Sequence, residues 1–433
     1  MIPTIIICVV TCLAIVVTTL VKPSIKIKNI TINLYWIIAL IGAISLLAST
    51  LLGFDELWSG LTLDTGINPL QILVLFLSMT MISIFLDELG FFAHLANYVL
   101  KHTKSNQYRI FIAFYILVSL LTMFTSNDII ILTLTPFIIF FAKHAKISPI
   151  PYLVSEFVAA NTWSMMFIIG NPTNIYLASS FNINFVDYFL IMAVPTLVSG
   201  LMEFGLLILI FHKDLKKPLE YVEEELPKEN IPLTIIGLSI LIICTIFLTI
   251  SSYISLPMYL IALVSLVVLS LCAFIYAIIK KQAPKEILHA YKRAPWELVP
   301  FIISMFVLVL SLNKYEVTNH IAEFIGNDLS IIKYGYLSFI SANLLNNIPM
   351  SVVFTSIINV SNLSNPLGAI YASIIGSNLG AFLTPIGALA GIMWMGILKR
   401  HDIHFTFLTF MKFGALISIP TITVCLLTLM LFI

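Results

Sequence analysis

The sequence predicts an all-α polytopic membrane protein of two inverted-topology repeats, each with a re-entrant hairpin and a broken transmembrane helix. Three observations carry that expectation. Of 433 residues, 60% are apolar and only 10% charged, against about 25% charged in a soluble domain. Apolar runs near the roughly 20 residues that cross a bilayer recur from end to end. The Lys and Arg gather in loops that can share one face of a membrane. The same figures exclude a soluble multidomain enzyme, a disordered chain and a disulfide scaffold. With a net charge of +1 and no long basic run, nucleic acid is excluded as a partner.

The first run, Ile2 to Val21, has neither a basic leader nor a small-residue cleavage site and is read as a retained helix. Simple spans are expected near 3–21, 33–53, 69–100, 186–211, 231–250, 257–279, 296–312 and 405–432. Four further regions are interrupted. Residues 110–142 break at Thr125, Ser126, Asn127 and Asp128, and 152–181 at Gly170, Asn171, Pro172, Thr173 and Asn174. Residues 331–360 break at Asn346, Asn347, Ile348 and Pro349. Residues 368–398 break between Gly376, Ser377, Asn378, Leu379, Gly380 and Thr384, Pro385, Ile386, Gly387.

All of the 22 Lys and Arg except Lys314, Lys333 and Lys412 fit on the cytoplasmic face if 110–142 is a hairpin entering from inside and 331–360 one entering from outside. That topology exposes the repeat. Residues 1–212 form the first copy, 213–230 a charged cytoplasmic linker and 231–433 the second copy. Asn127, Asp128, Ile129 echo Asn346, Asn347, Ile348, and Gly170, Asn171, Pro172 echo Gly376, Ser377, Asn378. Inverted repeats with broken helices in matching places point to a secondary transporter.

Non-helical backbone at membrane depth must be buried in protein or line a wet cavity. The interruptions supply what a polar solute or ion needs there. Asn amides both donate and accept, and Thr125, Ser126, Thr173, Ser377 and Thr384 add hydroxyls. Half-helix N-termini favour anions, and C-termini favour cations. The candidate binding residues are therefore Thr125, Ser126, Asn127, Asp128, Asn171, Thr173, Asn174, Asn346, Asn347, Ser377, Asn378 and Thr384. A desolvated Asp128 can carry a proton or pair with a cation, or it can cap the second arm of its hairpin. Asp87 is a second coupling candidate. It adjoins Glu88, and neighbours on a helix point about 100° apart, so one of the pair is expected to face the interior. Glu156 and Glu203 are left outside the site. No metal and no cofactor is expected. The five Cys are packing residues, and His401 with His404 reads as a solvated loop. Neither HExxH, GxSxG nor a P-loop occurs, so the chain is read as no enzyme and hydrolyses no ATP by itself.

Several segments together resemble the arsenite/antimonite permease family of the wider ion-transporter superfamily. They are Leu86-Asp87-Glu88-Leu89-Gly90-Phe91-Phe92, Asn127-Asp128 with Leu132-Thr133-Leu134-Thr135-Pro136, Ala294-Pro295-Trp296, Leu345-Asn346-Asn347-Ile348-Pro349 and Leu379-Gly380 with Thr384-Pro385-Ile386-Gly387. The likeness spans nearly the whole chain. Two segments depart from it. Arsenite permeases often carry an acid where Asn378 stands, and Gly170-Asn171-Pro172-Thr173-Asn174 looks more like the broader superfamily. The resemblance implies plasma-membrane efflux of arsenite or antimonite, driven by proton antiport or the membrane potential. It also implies a cytoplasmic ATPase partner, for which the residues themselves give no sign. One charge crossing 100 mV contributes about 2.3 kcal/mol, roughly a fifty-fold gradient. A citrate- or dicarboxylate-like anion carrier and a sodium/proton antiporter stay open as alternatives, and a channel is disfavoured by compact polar clusters. Besides the solute, the expected partners are protons or sodium and the lipid bilayer, and a homodimer is left open.

Overall fold

The computed structural model describes residues 1–22, 24–27, 30–62, 68–102, 106–218, 230–251, 253–361 and 363–433. Helix α1 (Ile2–Val21) passes through an antiparallel hairpin, β1 (Ser24–Ile27) and β2 (Ile30–Asn33), into α2 (Leu34–Ala48). Then come α3 (Phe54–Thr62), α4 (Pro69–Glu88), α5 (Phe91–His102), α6 (Gln107–Phe124) and α7 (Asn127–His144). After these stand α8 (Ile150–Trp163), a 3-10 turn at Ile168–Gly170, α9 (Pro172–Ser180) and α10 (Phe185–Leu215). The second half runs α11 (Ile231–Ile250), α12 (Met258–Ile279), α13 (Lys285–Arg293), α14 (Leu298–Lys314) and α15 (Val317–Ile325). It ends with α16 (Ser330–Leu345), α17 (Asn347–Val360), α18 (Pro366–Gly380), α19 (Leu389–Arg400) and α20 (Phe407–Leu429).

Local chemistry sets these boundaries. Side chains of Asn68, Asn106, Asn184, Asn365 and Thr406 cap α4, α6, α10, α18 and α20 by accepting from N–H groups of the first turn. Gly90, at φ +75°, ends α4. The single span expected at 69–100 is therefore two helices, because a residue in the left-handed region stops the ladder. Helices α3, α13 and α15, nine residues each, were not anticipated. They are too short and too polar to register as spans. In the joint expected at 213–230, α10 continues to Leu215, and 219–229 lies outside the described residues.

Among the described residues, eight helical stretches, α13 with α14 counted as one, are long and apolar enough to cross a membrane. The interrupted pairs differ in length. Helices α6 and α7 have 18 residues each, whereas α16 and α17 have 16 and 14. At 1.5 Å per residue the latter reach about 24 and 21 Å, short of a hydrocarbon core of about 30 Å. Packing between the halves is reciprocal. Helix α2 lies on α14 and α12 on α4; α7 lies on α19 and α17 on α9; α10 and α20 lie on each other. Each of these contacts from the first half to the second has a counterpart in the reverse sense. At the centre, every residue of Pro151–Trp163 in α8 and of Gly368–Gly380 in α18 is buried. Small residues make that possible. A Cβ on Gly376 would stand 2.4 Å from the Gly335 carbonyl oxygen, so α18 packs on α16 almost backbone to backbone.

Candidate functional site

Four chain breaks gather around α8 and α18. Two correct the sequence expectation. The first broken helix is interrupted over 164–171, and Pro172, Thr173 and Asn174 already form the first turn of α9. The second is interrupted over 381–388. Gly376, Ser377 and Asn378 are helical, in the last turns of α18. The Gly170–Gly376 echo is accordingly out of register. Counting back from the helix ends, Asn378 matches Asn161, and both breaks are eight residues long.

The first break holds a continuous amide and hydroxyl network. Asn127, at the start of α7, donates through Nδ2 to Asn161 Oδ1 at 3.1 Å. Asn161 Nδ2 donates to the Phe157 carbonyl at 2.8 Å. The Ser164 hydroxyl lies 2.7 Å from the Asn161 carbonyl and 3.0 Å from Asn378 Oδ1. Asn171 Nδ2 donates to the same Asn378 oxygen at 2.8 Å, while its own Oδ1 accepts from the Thr173 N–H and hydroxyl. Asn378 Nδ2 donates to Asn174 Oδ1 at 2.7 Å and to the Ile374 carbonyl at 2.8 Å. Asn378 thereby uses both donors and both lone pairs, at zero exposure. Asn174 closes the ring by donating to the Ser164 carbonyl at 2.8 Å.

The second break is held differently. Asn343 donates to the Phe339 and Gly380 carbonyls and accepts from the Thr384 N–H at 3.0 Å and hydroxyl at 2.7 Å. Asn346 Nδ2 donates to the Ile386 carbonyl at 3.0 Å, and the Asn347 N–H to the Gly387 carbonyl at 2.9 Å. Asn346 adopts φ +77°, ψ 152°, a region left almost entirely to glycine and costing about 1–3 kcal/mol. The hairpin tip is pinned there by these bonds.

Thr125, Asp128 and Asp87 sit apart from the first network. The Thr125 hydroxyl is spent on the Leu121 carbonyl. Ser126 Oγ, Asn127 Oδ1 and Ser377 Oγ are buried without a partner. Asp128, in the first turn of α7, lies near the Tyr35 phenol, which itself donates to Glu297. Asp87 accepts from the Thr133 hydroxyl of α7 at 2.7 Å and from Arg293 Nη2 at 2.7 Å. Arg293 also holds Glu88. Of the pair, Asp87 is the one that reaches α7, through Thr133, and because α4 ends at Glu88 the forked guanidinium of α13 reaches both acids. Asn161, Ser164 and Asn343 were missed. Polar residues one or two turns from a break were the available signal.

The fold and its buried, broken helices define a multi-pass integral membrane transporter. Its fold matches over nearly its whole length the crystal structure of the Alcanivorax borkumensis YdaH transporter, described as having an unusual topology (TM-score 0.60, 13% identity, 99% of this chain and 98% of that one). The chain belongs to the citrate transporter family CitMHS, whose family model matches residues 27–365. Among its relatives is an arsenical pump membrane protein of Escherichia coli, 24% identical over 81% of this chain and 84% of that protein. A putative arsenical pump membrane protein of Bacillus subtilis is 27% identical over 76% and 80%. The resemblance to arsenite permeases stands, as does a multi-pass location in the plasma membrane.

Proposed function

We propose that the chain is a secondary active transporter exporting arsenite or antimonite, with proton antiport or the membrane potential as the driving force. The observation that carries this reading is the neutral network around Asn378. A neutral hydroxide such as arsenous acid presents OH groups that donate and accept, which is what Asn, Ser and Thr offer in return. The unpartnered Ser126 Oγ, Asn127 Oδ1 and Ser377 Oγ are ready donors and acceptors beside it, and the names of the arsenical pump relatives favour the same solute.

In this reading the halves are inverted repeats, and the α6–α7 and α16–α17 pairs are re-entrant hairpins. The reciprocal packing of the halves and the short α16 and α17 support it. A cleft of about 610 Å³, lined by Pro385, Ile386, Lys399, His404 and Phe407, runs from the α19–α20 turn to the second break. One of about 590 Å³, lined by Asn68, Gln71, Asn182, Ser255 and Tyr259, lies at the matching α9–α10 turn. In an inverted repeat those turns face opposite sides, as alternating access requires.

The family description favours a second reading, citrate or a like anion. Four helix N-termini, those of α7, α9, α17 and α19, lie at the breaks and supply positive dipole ends. Uptake into everted vesicles under an imposed pH gradient separates the two, with arsenite, citrate, sulfate and sodium tested in turn. Arsenite accumulation abolished by Asn127→Ala and by Asn347→Ala is the expected result. Citrate flux without arsenite flux would overturn it in favour of the second reading.

A further inference from the structure

We infer that Glu156 is a proton-binding site whose charge state is coupled to the contact that Trp394 of α19 makes with α8. The inference rests on the transporter reading only for its use in coupling. The site itself stands on geometry. Glu156 is 1% exposed, in the second turn of α8. Both carboxyl oxygens meet one hydroxyl, that of Thr135 on α7, at 3.1 and 3.0 Å. One hydroxyl proton therefore serves a pair of buried oxygens. The indole N–H of Trp394 on α19 acts on the same carboxyl from beyond ordinary hydrogen-bond length, and it is buried with no closer partner. Its ring packs 5.2 Å from that of Phe157.

Among the described residues, no cation is recorded against Glu156. The groups that meet it are the neutral Thr135 and Trp394. The titratable groups that α6 and α10 turn toward α8 are the Tyr115 phenol, which meets Trp163, and the Glu203 carboxyl, which meets Thr162. From α18 the polar group is Asn378. A buried carboxylate without a cation is costly, and the group takes up a proton instead. The proton binds a carboxyl oxygen and bridges to Thr135 Oγ1. When it leaves, the negative carboxylate has one unspent donor in front of it, the Trp394 N–H. Closing that bond draws α19, of the second half, onto α8, of the first. The equivalent positions of the second half are Thr355 and Ser373, at the same offsets in α17 and α18. The hydroxyl is kept and the carboxylate is not, so the matching place in the second half has no proton site.

The test uses the purified full-length protein in lipid. Infrared difference spectra across a pH titration should show a protonated-carboxyl band in the wild type that Glu156→Gln lacks. Trp394 emission, obtained by subtracting the Trp394→Phe protein, should change with pH in the wild type and stay flat in Glu156→Gln. A band identical in wild type and Glu156→Gln, or Trp394 emission independent of pH, overturns the inference. Thr135→Val keeps the carboxyl and removes its partner, so the band should shift in frequency. An unshifted band there also overturns it. Arsenite flux is read separately. Protein that shows the Glu156 band but moves no arsenite sinks the transport reading alone; protein that moves arsenite without the band sinks this inference alone.

Discussion

Asn161 and Asn378 hold the same place in the two halves, two residues before the end of a buried helix, and both precede a break of eight residues. The residues beyond them differ. The first break carries Ser164 and Asn171, with Thr173 and Asn174 just after it. The second has Ala381, Ala388, Ala390 and Gly391 at the matching positions. Buried backbone and amide groups must be paired in either case, and the two halves do it by different means. Both use Asn and hydroxyl side chains, but the first reaches across to Asn378 of the other half. The second closes on partners within its own half, Asn343 with Thr384 and the carbonyls of Gly380, Ile386 and Gly387. Bonds within one half travel with it. Under the alternating access proposed above, bonds between halves must break when the halves shift. The first break therefore has the character of a joint and the second that of a clasp. The tips agree: Ser126 sits in relaxed extended backbone, while Asn346 is held at positive φ.

The largest expected effect breaks the joint. Asn378→Leu leaves Asn171 Nδ2 and Asn174 Oδ1 buried without partners and deprives Ser164 of one. Each orphan costs about 1–3 kcal/mol. Flux in vesicles should vanish, and the thermal midpoint of the purified protein should fall further than in any other variant considered. Wild-type flux in Asn378→Leu would show that the halves do not communicate through this residue.

A smaller effect is expected at the clasp. A Cβ on Gly387 would stand 2.6 Å from the Gly380 carbonyl oxygen and 2.9 Å from Asn343 Oδ1. Gly387→Ala should cost about 1–3 kcal/mol by overpacking, with flux per folded molecule reduced less than in Asn378→Leu. A denaturation midpoint equal to wild type would mean that the clasp yields and is no clasp.

The smallest effect sharpens the comparison at the periphery. Two nine-residue helices, α3 and α13, tie the ends of α14 and α4 by ion pairs. Glu56 meets Lys314 at 2.8 Å, and Arg293 meets Asp87 and Glu88. The hydrogen bond from Lys314, with one from the Gly53 N–H, holds the Glu56 carboxyl below its ordinary range. A carboxyl lowered on folding stabilises at pH above its unfolded value, and that contribution is lost as pH falls through the folded value. Wild type and Glu56→Gln should differ slightly in melting temperature at neutral pH and low salt, and converge in acid or at high salt. A difference that persists in acid would rule out the ion pair as its source.

Much of the architecture was legible. Apolar runs marked the long helices, and Asn among Ser, Thr, Asp, Gly or Pro marked all four breaks, because a helix in lipid can be interrupted only where polar groups replace its lost bonds. Boundaries were less legible: the first break begins at Ser164, six residues before the Gly170 that announces it, and the second begins after Gly380 rather than at Gly376. The site was legible in part. Asn127, Asn171, Thr173, Asn174 and Asn378 are joined in one network, whereas Thr125 is spent within its own helix and Asp87 goes to Arg293.

The sequence by itself determined that the chain lives in a membrane, that its helices are interrupted in four regions, and which side-chain chemistry stands near each interruption. Those are properties of composition and local pattern. Only the tertiary structure decided that Asn378 answers Asn171 and Asn174 rather than its neighbours, that Asn161 and Ser164 belong to the network, and that Glu156 lies between Thr135 and an unpaired indole. An amide offers the same donors and acceptors in any setting. Which partners it finds depends on packing between residues about two hundred positions apart, and no local pattern carries that.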